Sequence, residues 1–277
     1  MLSFDNARKL FTSSDLSLLE TGHFSDVVLI CGNHAWNLHR SIICKRCPWF
    51  EKALMGGFAG SETKKITLTD IASEVVEVVL RYLYSGAIDT AAVQRCEGEC
   101  IISQYIRLWS VADFFLIEPL KADIIEAMEQ SLEENVKKIC NARYLIDSQE
   151  FKAIIHEFFW GVATTYYDLP HTQPCRQVLL DYAHAIRLNL YRSDVFIKEI
   201  SNYPELASDL FMIAVKGRQS KWTGDSEADY RNYFVHVKCS GCGCKSKYAE
   251  SWNIDPQASG KNIRIMEVPW CCESCVG

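Results

Sequence analysis

Hydrophobic and polar positions follow two different periods along this chain, and the change of period divides it. Between Phe24 and Gly86 the apolar runs are short and bounded by turn residues. Val27-Val28-Leu29-Ile30-Cys31 and Ala35-Trp36-Asn37-Leu38 flank Gly32-Asn33, which predicts two strands around a tight turn. A helix-like run from Ser41 to Met55 follows, then a glycine-rich break at Gly56-Gly57 and Gly60. Next come a short strand, Lys65-Ile66-Thr67-Leu68, closed by Thr69-Asp70, and a helical run from Glu74 to Tyr84 stopped by Ser85-Gly86. Upstream, Phe4, Ala7, Leu10 and Phe11 recur at helical spacing, and Ser14-Asp15 can cap a further turn holding Leu16 and Leu19.

From Leu120 the period is helical and stays so. Leu120, Ile124, Met128, Leu132 and Val136 stand four apart and draw one apolar stripe on a long helix. Phe151, Ile154, Ile155, Phe158, Phe159 and Val162 form a second stripe, broken after Tyr167 by Asp168-Leu169-Pro170. Val178, Leu179, Tyr182, Ala183, Ile186 and Leu190 predict a third helix, Asp194 opens a fourth toward Ile200, and a last one runs from Pro204 to Val215 with Gly217 as its stop. The later helices have apolar faces that need one another, which predicts a compact α-helical bundle after the short strands. Trp160 and the Tyr166-Tyr167 pair lie at helical spacing and are assigned to core packing.

One family shows this order of short signatures. Phe24-Ser25-Asp26-Val27, Leu38-His39-Arg40, Trp49-Phe50, Phe58, Ile66-Thr67-Leu68-Thr69-Asp70 and Leu83-Tyr84-Ser85-Gly86 together resemble the BTB (POZ) domain, and the resemblance implies an α+β fold with a small sheet flanked by helices. Tyr105 to Phe115 is similar to that family's helix ending in an alanine-aspartate-aromatic pattern, here Ala112-Asp113-Phe114-Phe115. Thr90 to Cys100, which holds Cys96 and Cys100, departs from the family as an insert and reads as a solvated loop or an extended helix start. The later chain resembles the helical extensions of BTB proteins common in filamentous fungi. The resulting division is an N-terminal amphipathic helix at residues 1–19, a BTB/POZ domain at 20–133, an α-helical extension at 134–217, a linker at 218–233 and a cysteine-rich unit at 234–277.

The resemblance carries expectations for individual residues. Positions matching Asp26 and Arg40 lie near the dimer interface in the family and pair in a partly buried charged pocket, which implies a homodimer or pairing with other BTB proteins. A fold-determining role inside one chain is the alternative. An N-terminal helix like Phe4–Phe11 exchanges between protomers in several relatives, or packs on its own domain. His39 stands at the family's usual histidine position and is structural. In adaptors that bind cullin-3, a loop carries a hydrophobic residue, any residue and then an acid; Phe58 matches the hydrophobic anchor, but Gly60 stands where the acid is expected. Weak or no cullin-3 binding follows, with Gly60→Glu expected to strengthen it and Glu62 able to substitute only if the loop shifts.

Composition narrows the classes. The chain has 277 residues, 48% of them hydrophobic, enough for about two modest cores. No apolar run reaches the ~20 residues that span a bilayer, and the charges Asp5, Arg8, Lys9 and Asp15 interrupt any signal-like segment near the start. An intracellular location, nucleus or cytoplasm, is expected. Net charge of −6 argues against a whole-chain nucleic-acid or anionic-membrane surface. In a reducing setting the 13 cysteines read as thiols or metal ligands. Cys44 and Cys47, spaced C-x-x-C without a second pair nearby, are assigned as buried thiols on a helix face.

Lys216 to Tyr233 is polar and reads as a linker, and a small unit follows it. There Phe234-Val235-His236-Val237-Lys238 runs into Cys239-Ser240-Gly241-Cys242, and Ile263-Arg264-Ile265-Met266-Glu267-Val268 leads to Cys272-Glu273-Ser274-Cys275. Two strands, each leading to a C-x-x-C turn, resemble a zinc ribbon. Four thiolates at tetrahedral corners suit structural zinc and leave no open position for a catalytic water. Cys239, Cys242, Cys272 and Cys275 are the favoured ligands, with Cys244, Cys271 and His236 as alternatives; free or oxidisable thiols are the competing reading. Lys238, Lys245, Lys247, Lys261 and Arg264, with Tyr248 and Trp252, give only a mild basic and aromatic surface, so nucleic acid is a minor reading. Nothing matches a phosphate loop, a nucleophile elbow or an H-E-x-x-H helix. The sequence therefore reads as a non-enzymatic protein–protein interaction module, a candidate adaptor of a cullin-type ubiquitin ligase. The alternative is a nuclear transcription or chromatin regulator whose ribbon touches nucleic acid or a protein.

Overall fold

A computed structural model of the chain describes residues 14–55, 57, 59–94, 100–141 and 148–216. Phe4–Phe11, Phe58, Cys96 and the cysteine-rich unit with its linker lie outside the described residues. Helix α1 (residues 14–21) leads to strands β1 (Val27–Cys31) and β2 (His34–Leu38), helices α2 (Arg40–Arg46), α3 (Pro48–Met55) and α4 (Ala59–Thr63), and strand β3 (Lys65–Leu68). Helices α5 (Ser73–Ser85), α6 (Thr90–Gln94), α7 (Ile101–Phe114) and α8 (Glu118–Asn141) follow. The rest is helical: α9 (Gln149–Ala163) runs into a π-helical turn at Thr164–Asp168, then α10 (Gln173–Ala185), α11 (Arg187–Leu190), α12 (Asp194–Glu199) and α13 (Pro204–Lys216).

The sheet has the order β2-β1-β3. The hairpin pairs β1 antiparallel to β2, from Val27 opposite Leu38 to Cys31 opposite His34, around a turn in which Gly32 takes φ +56°. A left-handed backbone is open to glycine at little cost. Parallel pairing with β3 sets Leu29 against Ile66. All five residues of β1 are apolar, yet only Val27, Leu29 and Cys31 are fully buried. The strand's period of two sends these three to the core. Ile66, Leu68 and Leu38 join them in burial, and α5 adds Val76, Val79, Leu80, Leu83 and Tyr84 at helical spacing. Gly86, at φ +71°, ends α5 by donating its N–H to the Tyr82 carbonyl at 2.7 Å.

Two sequence expectations change here. The run Ser41–Met55 is two helices, because Pro48 disfavours a helical backbone at the residue before it and Cys47 is extended at φ −141°. Cys47 is therefore the cap between α2 and α3 and does not share a helix face with Cys44. Trp160 and Tyr167, expected in the core, are 56% and 49% exposed, whereas Tyr166 is buried. Successive residues of a helix point about 100° apart, so Tyr166 turns inward with Thr164 and Thr165 while Tyr167 faces out.

The chain divides into two compact units that do not follow the sequence boundary at residue 133. The first comprises residues up to Ser131 together with His156–Leu179, and the second comprises Leu132–Ile155 and the chain from Leu180 onward. Part of the expected helical extension thus packs with the N-terminal half. Gly161 shows why. A Cβ placed there would lie 2.5 Å from Ile102 Cγ2 of α7, so α9 comes against α7 only because position 161 has no side chain. The contact continues with Thr164 Oγ1 donating to Ser103 Oγ at 3.0 Å and Thr165 and Thr172 hydroxyls bonded at 2.8 Å. Arg176 closes it, donating to the Thr165 carbonyl at 3.0 Å and lying 4.1 Å over the Tyr166 ring. In the second unit Phe151, Ile155, Leu132, Tyr182 and Leu206 are buried, and Ser193 caps α12 by accepting from the Phe196 N–H.

Candidate interaction surface

Asp26 opens β1 and Arg40 opens α2, and the hairpin brings them together. Their contact is not the side-chain ion pair expected. Asp26 Oδ1 accepts the Arg40 backbone N–H at 2.8 Å, satisfying one of the amides that every helix start leaves unpaired. The Arg40 guanidinium runs the other way, and its Nη2 donates to the Leu54 carbonyl at 3.0 Å, in the last turn of α3. That placement suits a cation beside a helix C-terminus. Asp26 is exposed and Arg40 half-buried, so water solvates the carboxylate and no buried unpaired charge demands a second protomer.

His39, 5% exposed, is fully engaged. A carbonyl only accepts, so Nε2 carries the proton and donates to the His23 carbonyl at 2.6 Å. Nδ1 then accepts the Tyr84 hydroxyl proton at 2.9 Å, while the same hydroxyl oxygen accepts the His39 backbone N–H at 3.0 Å. Burial, the largest influence, pushes the Tyr84 phenol up to about 12. These groups tie α5 to the start of α2, as a structural histidine does. Sequence reasoning passed over Arg46, which lies beside them. Its guanidinium donates to the Leu83 carbonyl at 2.6 Å and the Tyr84 carbonyl at 3.1 Å, and meets Asp15 of α1 at 2.8 Å. Only its position in the last turn of α2 hinted at such a role.

Two distant signature pieces converge. Phe50 stacks on Phe115 with centroids 5.3 Å apart, and Trp49 sits edge-on to both. Phe114 covers Trp49 at 5.5 Å and stays 47% exposed, while the following Leu116, at φ +58°, is 43% exposed. Phe24, at φ +63°, is 92% exposed ahead of β1, and Met55 ends α3 at 66%. A left-handed backbone at a non-glycine residue costs roughly 1–2 kcal/mol. Large apolar side chains held out in this way are suited to meeting another protein surface.

Cys44 and Cys47 are both held in the protonated form. Cys47 donates to the Phe115 carbonyl at 3.2 Å and burial pushes its pKa up to about 11, while burial also raises Cys44. Raised pKa values keep both as neutral thiols, poor nucleophiles and poor ligands. Among the described residues no cluster of His, Cys, Asp and Glu could hold a metal.

Phe58 lies outside the described residues, but Gly60 falls within α4, where a Cβ would come 3.1 Å from the Ala53 carbonyl oxygen. Position 60 faces backbone, so a glutamate there would strain α4 before it reached a partner. Glu62 of the same helix is exposed.

Residues 16–132 match the model of the BTB/POZ domain. This stretch is a BTB/POZ domain. The BTB-containing relatives it resembles include a BTB/POZ domain-containing protein of Arabidopsis thaliana, 24% identical over 168 residues, 60% of this chain and 20% of that protein. Kelch-like protein 38 of Danio rerio is 30% identical over 102 residues, 36% of this chain and 18% of its own length. The chain thus spans about a fifth of these curated relatives. Among solved structures, the BTB domain of zebrafish PATZ1 matches with a TM-score of 0.35 and 18% identity, covering 48% of this chain and 98% of that domain. No helix among the described residues is long and apolar enough to cross a membrane.

Proposed function

We propose that this protein is a non-enzymatic interaction module that self-associates through its BTB/POZ domain and presents its helical part to further protein partners. The observation that carries this reading is the BTB/POZ domain at residues 16–132, whose surface holds out Phe24, Met55, Phe114 and Leu116. The kinship with a Kelch-like protein supports an adaptor role in a cullin-type ubiquitin ligase, with Phe58 as the anchor and Glu62 as the acid. Contact with cullin-3 is then weak, because the acid stands two positions later than in the motif. The C-terminal unit is proposed to hold one structural zinc on Cys239, Cys242, Cys272 and Cys275, four thiolates forming a closed site.

Light scattering of the full chain at tens of micromolar, a range that captures modest interfaces, tests self-association. A mass twice that of the 31.6 kDa chain is expected, and a strictly monomeric mass removes the claim. Calorimetry against cullin-3 tests the adaptor role. Phe58→Ala should abolish binding and Gly60→Glu should fail to strengthen it. Tight binding indifferent to Phe58→Ala would show that another surface makes the contact.

A further inference from the structure

The sheet order β2-β1-β3 makes β2 and β3 its edges. The ladder shows which way the backbone groups of β2 point. The Val28 N–H donates to the Lys64 carbonyl on the β3 side at 2.9 Å, so Val28 turns its backbone groups away from β2. Its cross-strand partner Asn37 therefore sits in a non-hydrogen-bonded pair and turns its own N–H and C=O away from β1. Alternation gives Ala35, opposite Ile30, the same outward direction. Both residues are exposed, and among the described residues no backbone group pairs with these outward ones. Natural sheet edges are ordinarily blunted by a lysine, a proline or a bulge. Edge β3 opens with Lys65 directly after Lys64. Edge β2 reads His34-Ala35-Trp36-Asn37-Leu38, without lysine, acid or proline, and its register against β1 runs unbroken.

We propose that β2 is an interface for a second copy of this chain, each β2 pairing antiparallel with the other about a two-fold axis at Trp36. The proposal rests on the reading that the protein self-associates through its BTB/POZ domain, and it names the surface. The occupant follows from the symmetry of the strand. Ala35 and Asn37 stand on either side of Trp36, so a two-fold antiparallel register sets Ala35 against the partner's Asn37 and Asn37 against the partner's Ala35. Every outward N–H and C=O of these residues, on both copies, then finds a hydrogen-bond partner. Trp36 falls opposite the partner's Trp36 in the closer, non-hydrogen-bonded position, with about 4.5 Å between Cα atoms, where aromatic pairs stabilise a sheet. His34 already stacks on Trp36, with ring centroids 5.9 Å apart and planes 18° apart, so the indole is held in place by its own chain. No like charges meet across the seam. An unrelated extended peptide meets the same backbone groups but brings no matching tryptophan. The product is one continuous sheet in which neither β2 is an edge.

Ala35→Pro in the full chain tests this. Proline at position 35 removes an outward N–H and leaves the β1–β2 ladder whole, because an edge strand tolerates proline where the N–H faces water. Light scattering at tens of micromolar is expected to show Ala35→Pro at half the native mass, with an unchanged thermal midpoint. A native dimer that Ala35→Pro leaves intact would overturn the β2 interface while self-association stands; a native monomer would overturn both. Photo-crosslinking decides the matter even where Ala35→Pro fails to fold. With Ala35 replaced by p-benzoylphenylalanine, in a mixture of isotopically heavy and light chains, mass spectrometry should map heavy-to-light cross-links from position 35 into residues 34–38. Cross-links confined to one chain, cross-links to another part of the second copy, or none at all, would overturn the proposal.

Discussion

At the scale of single residues, the fold of the BTB/POZ domain depends on a few polar side chains whose partners are backbone groups. Tyr84 is the clearest. Its hydroxyl serves both the backbone N–H and the Nδ1 of buried His39. Tyr84→Phe leaves those two groups without a partner away from water and should cost about 1–3 kcal/mol in chemical denaturation. Tyr191→Phe, at an exposed tyrosine, should stay within about 0.5 kcal/mol. Glu157 behaves differently. Its carboxylate accepts the Ile101 and Ile102 amides at the start of α7, but burial outweighs them and raises its pKa above the ordinary 4.5. Folding therefore takes up a proton there in the window between 4.5 and the raised native value. The residue's contribution to stability is full below that window and is lost as pH rises through the native pKa. Glutamine keeps a carbonyl for an amide and cannot ionise. Urea denaturation at a series of pH values should show Glu157→Gln gaining on the native protein as pH rises above the ordinary 4.5 and through the raised native value. A constant difference across that range would mean that Glu157 does not titrate with folding.

At the scale of elements, close approach and helix ends decide what periodicity leaves open. Ile102 is β-branched and stiff, so it cannot easily yield the 2.5 Å that a Cβ at position 161 would demand. Gly161→Ala should destabilise the first unit by about 1–3 kcal/mol through overpacking, despite alanine's better helix propensity. Thermal melts of the full chain would show it as a lowered midpoint. A raised midpoint would mean that α7 and α9 can separate at little cost. Pro48 is equally local in origin: it splits one apolar run into α2 and α3, and the break leaves the α3 C-terminus where the Arg40 guanidinium can reach the Leu54 carbonyl. Asp26 was legible as a charge interrupting an apolar strand and Arg40 as the residue it meets, but not that the contact is to the Arg40 backbone N–H. A helix-start amide is a backbone group, and sequence patterns register only side chains.

At the scale of the whole molecule, the proposed zinc should be separable from the BTB/POZ domain. Metal analysis of protein purified without added zinc should give about one equivalent per chain. Cys272→Ser should lose it and loosen residues 234–277 in hydrogen exchange while residues 16–132 keep their protection; a metal-free protein with an ordered C-terminal unit would refute the site. The sequence by itself determined the order of strands and helices, the hairpin at Gly32, the stop at Gly86 and the apolar stripe from Leu120 to Val136, because each depends on the period or backbone preference of residues close together. The tertiary structure decided which side of the all-apolar β1 is buried, that Asp26 meets a backbone amide and not the Arg40 guanidinium, that Trp160 and Tyr167 face outward, and that His156–Leu179 belong with the N-terminal unit. Each of these depends on which surfaces pack together, and residues far apart in the chain settle that through volume: a missing side chain at Gly161 opposite Ile102, or two phenylalanines, Phe50 and Phe115, stacked 5.3 Å apart.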